Sequence, residues 1–414
     1  MADRRQAAAE SIGNLSEIDD VFDEQAQVSV TDRPGGVRDP YSQFAAERRK
    51  SAVSRSVIRQ QDESFEVFDV WRYAEVDHVF RDNETFSSGA IRELMALVMG
   101  PYVLVGMDEP EHRRHRSLVS QAFRQKALAE WEADFVDVVV NRLIDRFDRG
   151  GHADLVREFT FRFPVMVIAG ILGIPPSDSA EFHQYATAIV NVSADPERGF
   201  AASDAMRTYL STIVEARRAD PRDDLISDLV QAELDGERLG DEEIYSFLRL
   251  LLPAGAETTY RATGNFLFGL LSDRAQWEAL RDDRSLMPQA IEEAIRWESP
   301  LTLTSRAATR DVELAGVEIP AGGHVVAHIG SANRDESRWD RADEFDIFRQ
   351  QKPHISFAAG PHMCLGMHLA RMEMRSAVSA LMDRMPNMRF DPAAEDLHIY
   401  GEVFRSPPRL PVMF

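Results

Sequence analysis

Cysteine is nearly missing from this chain: Cys364 is the only one among 414 residues, so no disulfide can form within it. Also missing is any apolar run of membrane-spanning or signal-peptide length, and a soluble, cytoplasmic protein is expected. Basic residues are few against acidic ones, 47 to 69. The resulting net charge of −22 argues against nucleic acid as a partner, since its recognition needs a basic surface, and gives no attraction to an anionic membrane. Internal repeats, low-complexity tracts and convincing linkers are lacking too, so the helical patterns from 127 to 235 belong to one body. A hydrophobic content of 44% is ample for a sizeable core.

The single cysteine lies in Phe-Ala-Ala-Gly-Pro-His-Met-Cys-Leu-Gly, residues 357–366. Gly360 and Gly366 allow the backbone to turn and approach something closely. Helical spacing resumes at Leu365, which places the sulfur just before a helix N-terminus, where a thiolate is favoured. Taken alone, such a residue is a nucleophile, a metal ligand or a buried, inert thiol.

Around it the chain reads as mainly helical with a minor sheet. Residues 1–35 form an acidic leader ending in Pro34-Gly35-Gly36, expected to be loosely ordered, with one domain over 36–414. Residues 64–71 alternate as a strand, paired with 54–60, and 73–81 form a short helix. Ile91, Leu94, Met95 and Val98 fall on one face of a helix that Gly100-Pro101 ends, a spacing that core packing alone would explain. His112 and Arg116, four apart behind Pro110, share a helix face and by themselves read as a solvated charged stripe. Arg113, Arg114, Arg124 and Lys126 add a basic cluster suited to an acidic electron-transfer partner. Residues 312–319 and 324–329 alternate like strands around a turn at 320–323.

The longest helical pattern runs from Asp241 to about Leu271 and contains Pro253 and Gly255, which weaken a helix interior by roughly 3 and 1 kcal/mol. A kink is expected there. Glu293 and Arg296 sit at i, i+3 and can pair.

Phe357, Gly360, His362, Cys364 and Gly366 match the haem-binding signature of the cytochrome P-450 family, and Ala254, Gly255, Glu257 and Thr258 match its Ala-Gly-x-Glu/Asp-Thr motif. The chain resembles that family over roughly 38–411. The resemblance implies the P-450 fold, with haem b (iron protoporphyrin IX) held between a long kinked distal helix and a proximal loop and helix carrying the Cys364 ligand. It implies propionate contacts from His112, Arg116 and Arg306, haem contacts from Ala254, Gly255, Phe357 and His362, and a proton-relay pair in Glu257 and Thr258. By the same resemblance Ile91, Leu94, Met95, Val98, Thr302, Thr304, Val403 and Phe404 face the substrate. Glu293, Arg296 and Arg349 hold the fold, and Arg341 stands where a proline is usual. A hydroxyl that both donates and accepts suits proton delivery to oxygen. The expected activity is insertion of one oxygen atom of O2 into a hydrophobic small molecule by hydroxylation or epoxidation. No flavin or nucleotide motif is present, so electrons from NAD(P)H would come through a separate reductase and ferredoxin. A peroxide-driven peroxygenase and a non-catalytic haem sensor are the alternatives, and the Glu257-Thr258 pair argues against both.

Overall fold

The computed structural model describes residues 22, 37–60, 63–123, 129–192 and 195–414. Of the leader only Phe22 is among them, its ring buried edge-on to Phe161 and His183. Arg124 and Lys126 lie outside the described residues.

Strand Glu63–Val70 is the second of five in the main sheet. It pairs antiparallel with Val53–Gln60 and parallel with His324–Ala327, which pairs antiparallel with Thr304–Ala308; Phe86–Ser87 forms the far edge. Alternation along these strands buries Val53, Phe68, Val70, Val325 and Ala327 in a core of their own with Phe80 and Ile355. The register sets Arg306 opposite Val325, near the middle of the sheet. Residues 312–319, expected as one strand, are instead a hairpin of Val312–Leu314 and Val317–Ile319. Its turn residues Ala315 and Gly316 both take positive φ, 49° and 82°. Two such residues in succession make the turn that matches strand twist, and an alanine gives no sequence signal for it.

Apolar residues of the helices form the larger core. The distal helix runs through it as Asp241–Leu251, a π-helical turn at Leu252–Glu257 and Thr258–Ser272, without interruption. Its start is fixed by three acidic residues in the first turn, with Glu243 accepting from the Gly240 N–H at 2.6 Å. Pro253 has no N–H to donate, and the ladder widens to the π pattern where that donor is missing. From residue 259 to 267 every position of the helix is buried. The proximal helix Met367–Arg384 packs directly against it through a face that includes Leu369, Met372, Glu373, Ala377 and Leu381.

Two polar knots lie on helix Met287–Trp297 and at its C-cap, Glu298. Arg296 donates twice to Glu293, at 2.7 and 2.8 Å, and to the carbonyls of Asn333 and Ala342. Arg349 donates to the same carboxylate at 3.0 Å and to the Arg341 carbonyl at 2.9 Å. Arg341 has φ 49°, which a proline ring cannot adopt, and its guanidinium pairs with Glu344 and Asp346. The second knot, absent from the sequence reading, is Glu298 with Arg405 at 2.7 Å and the Tyr41 hydroxyl at 2.6 Å. Among the described residues no helix is long and apolar enough to cross a membrane.

Candidate active site

Cys364 stands two residues before the N-cap Gly366 of the proximal helix, its N–H bonded to the Phe357 carbonyl at 2.9 Å. Gly360, with φ 68°, sets the loop against the preceding helix Tyr73–Arg81: a Cβ there would lie 2.5 Å from the Phe80 carbonyl oxygen. A Cβ on Gly366 would meet nothing within 4 Å, so the backbone beside the sulfur borders open space. The sulfur itself is exposed on that side while protein encloses it at longer range. That enclosure pushes the thiol above its ordinary value, with the Gly366 N–H, Arg116 and Arg371 opposing it. Desolvation thus outweighs the thiolate preference expected from the helix end alone. Phe357 is half-buried, and the Arg371 guanidinium lies 4.5 Å from its ring centre. Arg371 in turn grips Glu292, whose carboxyl is raised by burial but held down at about 2 by bonds from Arg371 and His354.

Helix Glu111–Val119 carries His112 and Arg116 to the same place. The His112 ring lies 3.9 Å from that of His362, and the Nε2 atoms of both are buried without a hydrogen-bond partner. Burial drives the His362 imidazole down to about 3, and nearby His112, Arg306 and Arg116 lower it further. Arg306 is buried over the Phe80 ring; its guanidinium donates to the carbonyl of its neighbour Ser305, and desolvation lowers it to about 10. Arg116 donates to the Met363 carbonyl at 2.6 Å. Two guanidinium and two imidazole groups, counting His362 itself, therefore gather around His362, two residues from Cys364, and among the described residues no carboxylate is hydrogen-bonded to Arg116 or Arg306. Orphaned donors of this kind fit a doubly anionic, planar group such as haem with its two propionates.

On the distal side the Thr258 hydroxyl donates to the Ala254 carbonyl at 2.7 Å, across the π turn. Ala254 is exposed at that turn, whereas Gly255 faces inward: a Cβ there would meet Ile168 at 3.3 Å. The missing side chain at Gly255 also lets the distal helix pack closely on Phe163–Leu172. Glu257 is buried, and its Oε1 accepts from Arg261 at 3.0 Å. Burial raises its carboxyl, against the pull of Arg261. The spacing Glu257-x-x-x-Arg261 is open to view in the sequence, where one turn of helix aligns the two.

Of the residues expected at the substrate, Val98 is buried and Ile91 and Met95 are half-buried, but Leu94 is 65% exposed and so not enclosed with them. Thr302 is fully buried and its hydroxyl is bonded to the carbonyls of Glu402 and Val403; it ties the two loops together and does not present an open hydroxyl. Thr304 opens the strand beside Ala327, and Phe404 bridges to Leu301 while Val403 is exposed. Arg114, expected on a free basic surface, is held by Glu237 and Glu243 at 2.6 and 2.8 Å. Arg113 remains exposed.

Glu373 was missed as a site in its own right. It is buried in the proximal helix with the Thr259 side chain as its hydrogen-bond partner, and burial pushes its carboxyl up to about 8. A carboxyl raised in the folded state contributes fully below the ordinary carboxylate range, and the contribution is lost as pH climbs to about 8. Glu373→Gln is therefore expected to change stability little near pH 5 and to stabilise by roughly 3 kcal/mol or more near pH 8. Denaturant midpoints at the two pH values check this; an equal difference at both would contradict it.

The family model described as Cytochrome P450 matches residues 177–386. A putative cytochrome P450, YjiB of Bacillus subtilis, is 35% identical over 358 residues, covering 84% of this chain and 88% of that one. The erythromycin C-12 hydroxylase of Saccharopolyspora erythraea is 36% identical over 356 residues, 84% of this chain and 89% of the relative. The crystal structure of CYP109E1 from Bacillus megaterium in complex with testosterone superposes with a TM-score of 0.82 at 34% identity, covering 91% of this chain and 99% of that one.

Proposed function

Because the chain belongs to the cytochrome P450 family and is a monooxygenase by that membership, we propose that it binds haem b through Cys364 and oxygenates a hydrophobic small molecule by hydroxylation or epoxidation. In this reading NAD(P)H supplies two electrons through a ferredoxin reductase and a ferredoxin. The observation that carries it is the gathering of Arg116, Arg306 and His112 around His362, two residues from the one cysteine, with no carboxylate among the described residues hydrogen-bonded to either arginine. When bound, the haem supplies the chemistry of oxygen activation, and a thiolate ligand favours O–O cleavage.

The chain's own residues then have separable tasks. Arg116 and Arg306 hold the propionates, and the two orphaned imidazole nitrogens complete their hydrogen bonding. Thr258 can turn its hydroxyl from the Ala254 carbonyl into the site and there donate or accept a proton. Glu257, buried one residue earlier, supplies that hydroxyl with protons. Ile91, Met95, Val98 and Phe404 line a largely apolar space, which keeps water from carrying protons indiscriminately and suits a substrate of steroid or macrolide character, the kinds named for two of the relatives.

The test is turnover of purified enzyme with ferredoxin, its reductase, NADPH and isotopically labelled dioxygen over steroids, macrolides and fatty acids. One labelled atom in the product supports the reading. Equal turnover with hydrogen peroxide alone would favour a peroxygenase, and NADPH oxidation without product from any of them a haem-binding sensor. Thr258→Ala is expected to keep its haem yet lower the product formed per NADPH by about tenfold, the difference appearing as hydrogen peroxide. Wild-type coupling in that variant would contradict the role given to the hydroxyl.

A further inference from the structure

Arg261 is buried and touches more of the site than its partnership with Glu257 requires. One end of its guanidinium, Nη2, donates to the Glu257 carboxylate at 3.0 Å, while the other, Nη1, donates to the Ser406 hydroxyl at 3.0 Å. Ser406 is 145 residues away in sequence, on a hairpin of residues 400–406 closed by the antiparallel pair Tyr400 and Ser406. The same guanidinium is 5.6 Å from the centre of the Phe404 ring on that hairpin and 4.9 Å from that of Tyr260, within the range of cation–π attraction. Its Nε–H is buried with no partner. The contact is one-sided in a telling way: Glu257 has Arg261 as its ion-pair partner, whereas Arg261 depends on the hairpin for its second hydrogen bond and for the ring at its face.

A rigid planar fork that bonds at both ends cannot move at one end alone. Displacing Phe404 or Ser406 shifts Nη1 and, through the plane of the guanidinium, the bond to Glu257. We propose that Arg261 is a positioning residue that couples proton supply by Glu257 to the state of the hairpin at residues 400–406, so that filling the substrate pocket and readying the proton donor are a single event. This rests on the reading of Glu257 as the relay acid. The substrate that presses on Phe404 moves the hairpin, the hairpin moves Arg261, and Arg261 releases or re-aims the carboxyl next to Thr258.

Haem-loaded wild-type, Ser406→Ala, Arg261→Lys and Glu257→Gln enzymes decide it. The infrared bands of the Glu257 carboxyl group are assigned by their loss in Glu257→Gln, and peroxide released per NADPH is measured beside them. Ser406→Ala removes one hydroxyl and Arg261→Lys keeps the charge without the fork. Both are expected to change the bands and to raise peroxide release at least about threefold, while keeping the absorption of sulfur-ligated haem with carbon monoxide. Lower thermal stability with bands and peroxide at wild-type levels would make Arg261 merely structural and overturn the coupling. Ser406→Ala carries the test if Arg261→Lys does not fold. Wild-type peroxide release in Glu257→Gln would instead remove the relay reading, with the infrared response of Ser406→Ala still reporting whether hairpin and carboxyl are linked.

Discussion

Cys364→His is expected to abolish oxygenation while leaving a protein that still takes up haem. Imidazole is itself an axial ligand of haem iron in other proteins, so the substitution separates holding the cofactor from the thiolate's electronic effect. The contacts that would hold the propionates, from His112, Arg116, Arg306 and His362, lie on other residues and are untouched by it. Nor does the loop depend on the thiol: its bond to Phe357 is made by the Cys364 backbone N–H, and its tight approach to Phe80 by Gly360. The reduced variant with carbon monoxide should lose the absorption of sulfur-ligated haem, and product should fall below detection with ferredoxin and NADPH. Retained activity would show that the sulfur is not the ligand, and the functional reading would fall with it.

How far the sequence foretold this site varies with how local each feature is. The cysteine loop and the irregular turn of the distal helix were legible because short motifs carry them: Gly360 is needed where φ is 68°, and at Pro253, which removes a donor, the structure has a π-helical turn where a kink was expected. Features made by packing were not. The sequence places Cys364 before a helix N-terminus, which favours a thiolate, but the surrounding protein pushes the thiol the other way. Nothing in the motif around Gly255 says that its Cβ position faces Ile168, 87 positions earlier, which only the tertiary packing brings there. Arg261 was visible as the i+4 partner of Glu257, but Ser406 and Phe404, which give it a second role, are brought to it only by the tertiary fold. Glu373 is similar: nothing in Arg371-Met372-Glu373 says that the carboxyl is sealed between two helices.

Glu293→Ala should be among the most damaging substitutions outside the site. Its carboxylate accepts two bonds from Arg296, one from Arg349 and one from the Asp346 N–H, all within 3.1 Å. Arg296 is 2% exposed and cannot turn to solvent, so removing the acid strands its charge and frees the loop that Arg349 anchors. Breaking one partner of a buried pair costs about 3–5 kcal/mol, a large share of the roughly 5–15 kcal/mol by which a folded domain exceeds its unfolded state. The exposed pair of Arg341 with Glu344 is the internal comparison: both side chains are more than half exposed, and Glu344→Ala should cost about 1 kcal/mol or less. Thermal unfolding of the two variants beside wild type checks the contrast. A Glu293→Ala melting temperature no lower than that of Glu344→Ala would mean the knot does not hold the fold, since the geometry gives the buried Glu293 carboxylate four bonds and Glu344 a solvated one. The effect reaches function by a path that activity alone would hide: the knot lies in helix Met287–Trp297, which packs against both the distal and the proximal helices. Haem should be lost from Glu293→Ala at a temperature below that of wild type, in step with unfolding and not before it, because none of the residues beside Cys364 has been changed.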